Sequence, residues 1–258
     1  MAYQQQGGGG SGGRRWGGGG FGNFQGQQTI RFGPKMTPVV KYFMYACGGM
    51  YMAQNIFPAL EPVFSLVPTR FFSGWIWQLV SFNFLHANLM HLMMNMLMIW
   101  MFGGELEQNL GRRRFIILLA VSGLGAGFCQ ALAMASMEAR IMGASGVVFG
   151  LLMVYGMTWP DRTVLVMFIF PMKVKWMVLL FGVIEFMAVV GNGQPGIANL
   201  AHLGGMLFAF IFMRYDTIYM RLRRGYYERK LDRYRKKFRV YKGGKDGKDD
   251  KDNGPTVH

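Results

Sequence analysis

The sequence predicts an all-α membrane protein, and three observations carry that expectation. Of its 258 residues, 52% are hydrophobic and only 16% charged, which displaces the chain from the soluble average toward lipid as its solvent. Apolar windows of roughly helical-span length recur six times, at about 39–60, 84–103, 115–136, 144–159, 176–190 and 198–215. Their apolar character is unbroken, whereas the strands of a membrane barrel would alternate polar and apolar residues.

Taken in order, residues 1–36, which include GGGGSGGRRWGGGG, offer no periodic apolar face and read as a flexible Gly-rich cytoplasmic leader. The first apolar run begins only near residue 39 and is followed by no cleavage-site pattern, so it is expected to be a retained span. Segment 61–83, studded with Phe64, Phe71, Phe72, Trp75, Trp77 and Phe82, is expected to lie along the outer interface. Windows 144–159 and 176–190 are short, and segment 163–175 is expected either to extend the fifth span or to lie in the interface. The six-span core covers 37–216. Beyond it, 217–258 reads as a basic cytoplasmic tail whose RLRRGYYERKLDRYRKKFRV stretch, a candidate helix, is drawn to an anionic inner leaflet.

The 28 Lys and Arg against 13 Asp and Glu give a formal charge of +15, a value that nucleic-acid binders share. Here the charges avoid the apolar segments and collect in loops and termini, so membrane lipids rather than nucleic acid are the expected partners. With an inside N-terminus, all basic residues except Arg70 and Arg140 fall on the inner side, as the positive-inside rule requires. The second, fourth and sixth spans then all run from outside to inside. The localisation expected is a multi-pass protein of the plasma (inner) membrane with both termini cytoplasmic. Cys47 and Cys129 lie inside apolar runs, which excludes a disulfide scaffold and a four-Cys metal site. The 23 methionines read as adaptable packing.

Hydrogen-bonding and ionisable side chains inside spans are costly and therefore mark candidate sites. The second span opens HANLMHLMMN, with His86, His91 and Asn95; the fourth opens at Ser145; the sixth carries His202. Parallel spans place all of these in the same outer leaflet. His91 and Asn95, four apart, share a helix face, whereas His86, five before His91, is expected to turn away from it. Gly146 and Gly150 beside Ser145, with Ala201, Gly205 and Ala209 beside His202, are the small residues that let two membrane helices touch. A Ser hydroxyl and a His ring on touching helices suggest acyl transfer, with Ser145 as nucleophile and His202 as its base. The N-terminus of the Ser145 helix, His91 and Asn95 would stabilise the oxyanion. No carboxylate is expected to orient His202, because Glu185 is placed in the opposite half or near the middle of the fifth span, so a dyad is expected and Glu185 has no role. His86, His91 and His202 lack a nearby Cys or well-placed carboxylate, so neither a metal nor another cofactor is expected.

Together these residues resemble the rhomboid family of intramembrane serine proteases, whose marks are G-x-S-G, a His in the last core span and H-x-x-x-x-H-x-x-x-N. Here they stand as Gly143-Ala144-Ser145-Gly146, as Ala201-His202 followed by Gly205, and as His86, His91 and Asn95. The resemblance extends over about 39–216 and includes Gly103-Gly104, Glu107 and Gly111. It implies a six-helix rhomboid-like bundle with an interfacial first outer loop. It also implies Ser145 and His202 as the catalytic pair, the Ser145 amide, His91 and Asn95 as the oxyanion site, and transmembrane protein substrates cut near a small residue at the outer boundary. Two departures stand out: Trp77-Gln78 where many relatives have Trp-Arg, and Phe149 where a Tyr is common, its ring still able to stack on His202. Against this reading stand a non-catalytic rhomboid-like adaptor that binds transmembrane clients, for which the Ser or His would be expected to be missing, and a transporter, for which the paired broken helices are lacking.

Overall fold

A computed structural model describes residues 36–166, 169–191 and 199–237; the leader up to residue 35 and the chain beyond 237, His258 included, lie outside the described residues. Everything described falls within one compact unit, Gly33–His258. The order is α1 (Pro38–Ile56), three short helices α2 (Leu60–Phe64), α3 (Pro68–Phe72) and α4 (Gln78–Ser81), a 3-10 turn at Phe82–Phe84, α5 (Leu89–Leu110), α6 (Arg112–Ala133), α7 (Ser145–Thr158), a hairpin of β1 (Thr163–Val166) and β2 (Phe170–Lys173), α8 (Val174–Val190) and α9 (Asn199–Lys237).

The structure is mostly helical, and each of the six apolar windows overlaps one helix of 14 residues or more. Among the described residues, two of these, α5 and α6, are long and apolar enough to cross a membrane by themselves, and α7 is a shorter apolar helix. Of the two expectations for segment 163–175, extension of the fifth helix does not hold, because most of it forms a hairpin. Thr163 pairs with Lys173 and Val166 with Phe170 in an antiparallel register, and α8 starts immediately afterwards at Val174. The β-branched Thr163, Val164 and Val166 and the proline at 171 favour extended backbone over helix. At the other end, α9 continues without a break past the last apolar residues to Lys237.

Buried polar side chains fix the helix ends. Pro38 opens α1 with no side-chain cap of its own; instead the Glu107 carboxylate of α5 accepts from the amides of Val39 (3.2 and 3.1 Å) and Val40 (3.2 Å). These are donors that an α-helix leaves orphaned, and a carboxylate there also complements the helix dipole. The core gathers around α7, whose Val147, Leu151, Leu152 and Val154 pack with Val40, Ile99, Leu106, Phe115 and Leu118. A second cluster, Leu66, Phe82, Ala126, Ala131, Ile141 and Ala201, seats the loop region on α6 and α9.

The loop between α1 and α5 is anchored by side-chain amides. Gln78 is fully buried, accepting from the Val67 amide at 3.0 Å and donating to the Val63 carbonyl at 3.3 Å, and Trp77 Nε1 donates to the same carbonyl at 3.1 Å. Gln78 thus ties the loop down. Leu66 and Ile141 exchange both backbone hydrogen bonds at 2.9 Å, which joins this loop to the strand-like segment leading into α7.

Candidate active site

Ser145 is the first residue of α7, where the leading amides of a helix have no carbonyl one turn back to pair with. Its Oγ lies 2.7 Å from Nε2 of His202 on α9. Small residues make that distance possible. A Cβ on Gly205 would run into the backbone of Gly146, and a Cβ on Gly146 would meet the Ala126 side chain and the Ala201 carbonyl, so α6, α7 and α9 meet at backbone-contact range. The start of α9 is held by Gln130 of α6, buried, whose Oε1 accepts from the Ala201 amide at 2.9 Å. The Phe149 ring, one turn along from Ser145, stacks on His202 with centroids 4.4 Å apart and planes 6° from parallel.

Helix α5 contributes further polar groups to the site. Asn88 caps α5, its side chain accepting from the His91 amide at 2.8 Å. Asn95, buried, donates one amide proton to the His91 carbonyl at 2.9 Å, which leaves its second N–H available. Both side chains line a cavity of about 520 Å³ together with Ser145, His202 and Phe149. The rest of its wall is chiefly Met, Leu, Val and Phe from α5, α7 and α8, with Val164 and Leu165 of the hairpin. The arrangement is a hydroxyl, two imidazoles, a side-chain amide and the Glu185 carboxylate in an otherwise apolar chamber.

His86 does not turn away from His91. The helix begins at Leu89, so His86 lies in the preceding extended segment, and its ring meets that of His91 edge-on at 5.2 Å. Its buried side chain faces the Ala144 amide, with Nε2 accepting at 3.5 Å, and its peptide is gripped on both sides by Gln54 of α1 (2.7 and 3.2 Å). His86 thus braces the turn that presents Ser145. Gly143 in that turn has φ +129°, a region closed to most side chains, and a Cβ there would collide with the His91 ring.

Glu185 is the largest departure from the sequence reading. Its Oε1 stands 3.0 Å from Nδ1 of His202, and its Oε2 accepts from Asn199 Nδ2 at 2.7 Å. The ring N–H is turned off the carboxylate axis, so the contact with His202 has ion-pair distance without hydrogen-bond alignment. The carboxylate expected to be out of reach is therefore beside the imidazole. The C-terminal half of α8 lies against the first turn of α9, which sets Glu185 beside Asn199 and His202. Gln54, Gln130 and Asn199 were likewise not singled out from sequence, although each is a polar side chain in or beside an apolar window.

The fold and this site describe a helical integral membrane protein with a Ser–His contact set into an apolar cavity. The rhomboid domain family matches residues 73–217, more than half of the chain, and the protein belongs to the rhomboid family. Similar proteins include the Rhomboid protease GlpG of Yersinia pestis (strain Pestoides F), 31% identical over 149 residues, covering 55% of this chain and 49% of that protein. The Rhomboid protease GlpG of Serratia proteamaculans (strain 568) is 31% identical over 148 residues, with the same shares. The chain thus spans about half the length of the curated relatives it matches.

Proposed function

We propose that the protein is an intramembrane serine endopeptidase that cleaves transmembrane segments of membrane-protein substrates with a Ser145–His202 pair. The observation that carries this reading is the 2.7 Å contact between Ser145 Oγ and His202 Nε2, made at a helix N-terminus that borders an apolar cavity. Nε2 withdraws the hydroxyl proton as Oγ attacks the scissile carbonyl, and then delivers it to the leaving amine. The Ser145 amide and the side chains of His91 and Asn95 are the donors assigned to the developing oxyanion, in surroundings where charge–dipole interactions are strong. The polar groups stand near one end of α5, α7 and α9, which suits a substrate bond at a membrane boundary. In this reading the core is 37–216 with six spans, the termini are cytoplasmic and the compartment is a plasma (inner) membrane. Its support is the distribution of basic residues and the six long helices.

The test is to incubate purified wild type and Ser145→Ala with a fluorophosphonate probe and a generic transmembrane-helix substrate. Labelling and cleavage by the wild type alone are expected. If the wild type neither labels nor cleaves in detergent and in liposomes, the protease reading fails and an adaptor that binds transmembrane clients without cutting them takes its place.

A further inference from the structure

We propose that Glu185 is a positioning residue for His202, so that the pair works as a Ser–His–Glu relay closed by Asn199; this rests on the protease reading above. The carboxylate is held between two side chains of α9 that are one turn apart, with Oε2 on Asn199 at 2.7 Å and Oε1 at 3.0 Å from His202 Nδ1. Glu185 and His202 side chains are only 12% and 16% exposed. Between Trp176 and Val190 it is the only charged residue of α8, a helix otherwise made of apolar side chains and glycine. A carboxylate in such surroundings is costly unless paired, and both partners shown for it belong to the start of the His202 helix.

The chemical consequence is a choice of tautomer. An ionised carboxylate only accepts hydrogen bonds, so it favours the imidazole with its proton on Nδ1 and leaves the Nε2 lone pair facing Ser145 Oγ–H. As Oγ bonds to the carbonyl carbon, its proton passes to Nε2 and the ring becomes an imidazolium beside the carboxylate. The same proton goes to the amine nitrogen when the C–N bond breaks, and Glu185 stays ionised throughout. At 3.0 Å the off-axis N–H is already within reach of the carboxylate, and such contacts commonly tighten as charge develops.

Asn199 makes this testable beyond simple loss of packing. In Glu185→Gln, the Asn199 amide still donates, so it takes the glutamine oxygen and turns the glutamine NH2 toward Nδ1. That enforces the wrong tautomer, with the proton on Nε2, in an isosteric variant. Adding Asn199→Asp replaces the donor by an acceptor, draws the glutamine NH2 to itself and returns the glutamine oxygen to Nδ1–H.

The experiment uses the full chain in liposomes and measures fluorophosphonate labelling rate at Ser145, kcat and KM on a transmembrane-helix substrate, and melting temperature. Glu185→Gln is expected to slow labelling and kcat by about 10- to 100-fold at unchanged KM and melting temperature. Glu185→Gln/Asn199→Asp is expected to recover most of the loss. A wild-type rate in Glu185→Gln, or a double variant no faster than the single one, overturns the proposal. Should Glu185→Gln unfold, Glu185→Asp decides: slower labelling at unchanged melting temperature supports the relay, and a wild-type rate overturns it. If the wild type itself does not label, the protease reading falls and this inference falls with it, a result distinct from every other.

Discussion

Two of the helices that pack against α7, α6 and α8, are held in opposite ways. On one side α6 buries ten of its 22 residues, among them Gly123, Gly125, Gly127 and Gln130, and closes on α9 so tightly that a Cβ at Gly125 would enter the Phe208 ring. On the other side α8 buries only Val174, Met177 and Val178, all in its first turn and a half, while Ile184, Phe186, Met187 and Val190 farther along are each more than half exposed. In water that surface would be a liability, but in lipid exposed apolar side chains cost little and helix association depends on close packing and polar contacts. One flank of α7, the wall behind the Ser145–His202 contact, is therefore fixed by backbone contact, and the other, the cavity wall that carries Glu185, buries residues chiefly at its start. The Ser145–His202 distance is a property of the first wall; the Glu185–His202 contact depends on the second.

Glycine substitutions give the sharpest way to break this comparison. Gly205→Ala puts a methyl group into the Gly146 backbone, which no rotamer relieves, and is expected to cost more than about 3 kcal/mol in unfolding measured in detergent, with loss of labelling at Ser145. The same change in α8, Gly182→Ala, meets nothing closer than the flexible Met206 terminus at 3.6 Å and is expected to be neutral or stabilising by up to about 1 kcal/mol. Equal effects at the two sites would show that the walls do not differ.

A smaller effect is expected when the polar tie of the fixed wall is cut. Gln130→Leu leaves the Ala201 amide without its acceptor and should destabilise by about 1–3 kcal/mol, visible as faster hydrogen exchange in the first turn of α9. Smaller again is Phe186→Ala, on the exposed face of α8, expected within about 0.5 kcal/mol of wild type by thermal unfolding. The least is a pH effect at the base of α8. Hydrogen bonding and charge from Lys175, with help from Lys173, hold the exposed Asp161 carboxylate below its ordinary range. Its contribution is complete at neutral pH and disappears as the pH falls through that lowered value, so the hairpin Thr163–Lys173 should then exchange its amides faster while α7 does not change.

What was legible in the sequence divides along the same line. The helices, and the meeting of Ser145 with His202, follow from apolar windows, shared direction and small residues at four-residue spacing, all of which are local patterns. The flank contributed by α8 is not local. An apolar helix with no polar face gives no rotational phase, so nothing in VKWMVLLFGVIEFMAVV indicates toward which neighbour Glu185 points. His86 was misplaced for a related reason: hydropathy places a window but not the residue at which the helix begins, and the Asn88 cap delays α5 past His86. The hairpin was hidden because four-residue strands of apolar residues look like any short apolar run.

The 39 residues of α9 carry a mechanical meaning. At 1.5 Å per residue the helix is about 58 Å long, and His202 sits near one end with some 50 Å of hydrogen-bonded rod beyond it. The uncharged first part of α9, Asn199–Met213, accounts for about 22 Å of this length, and the Arg- and Tyr-rich remainder continues the same rod as a lever. A tilt of ten degrees about the apolar part would sweep the basic end through several ångströms. No break in the helix separates that end from the imidazole.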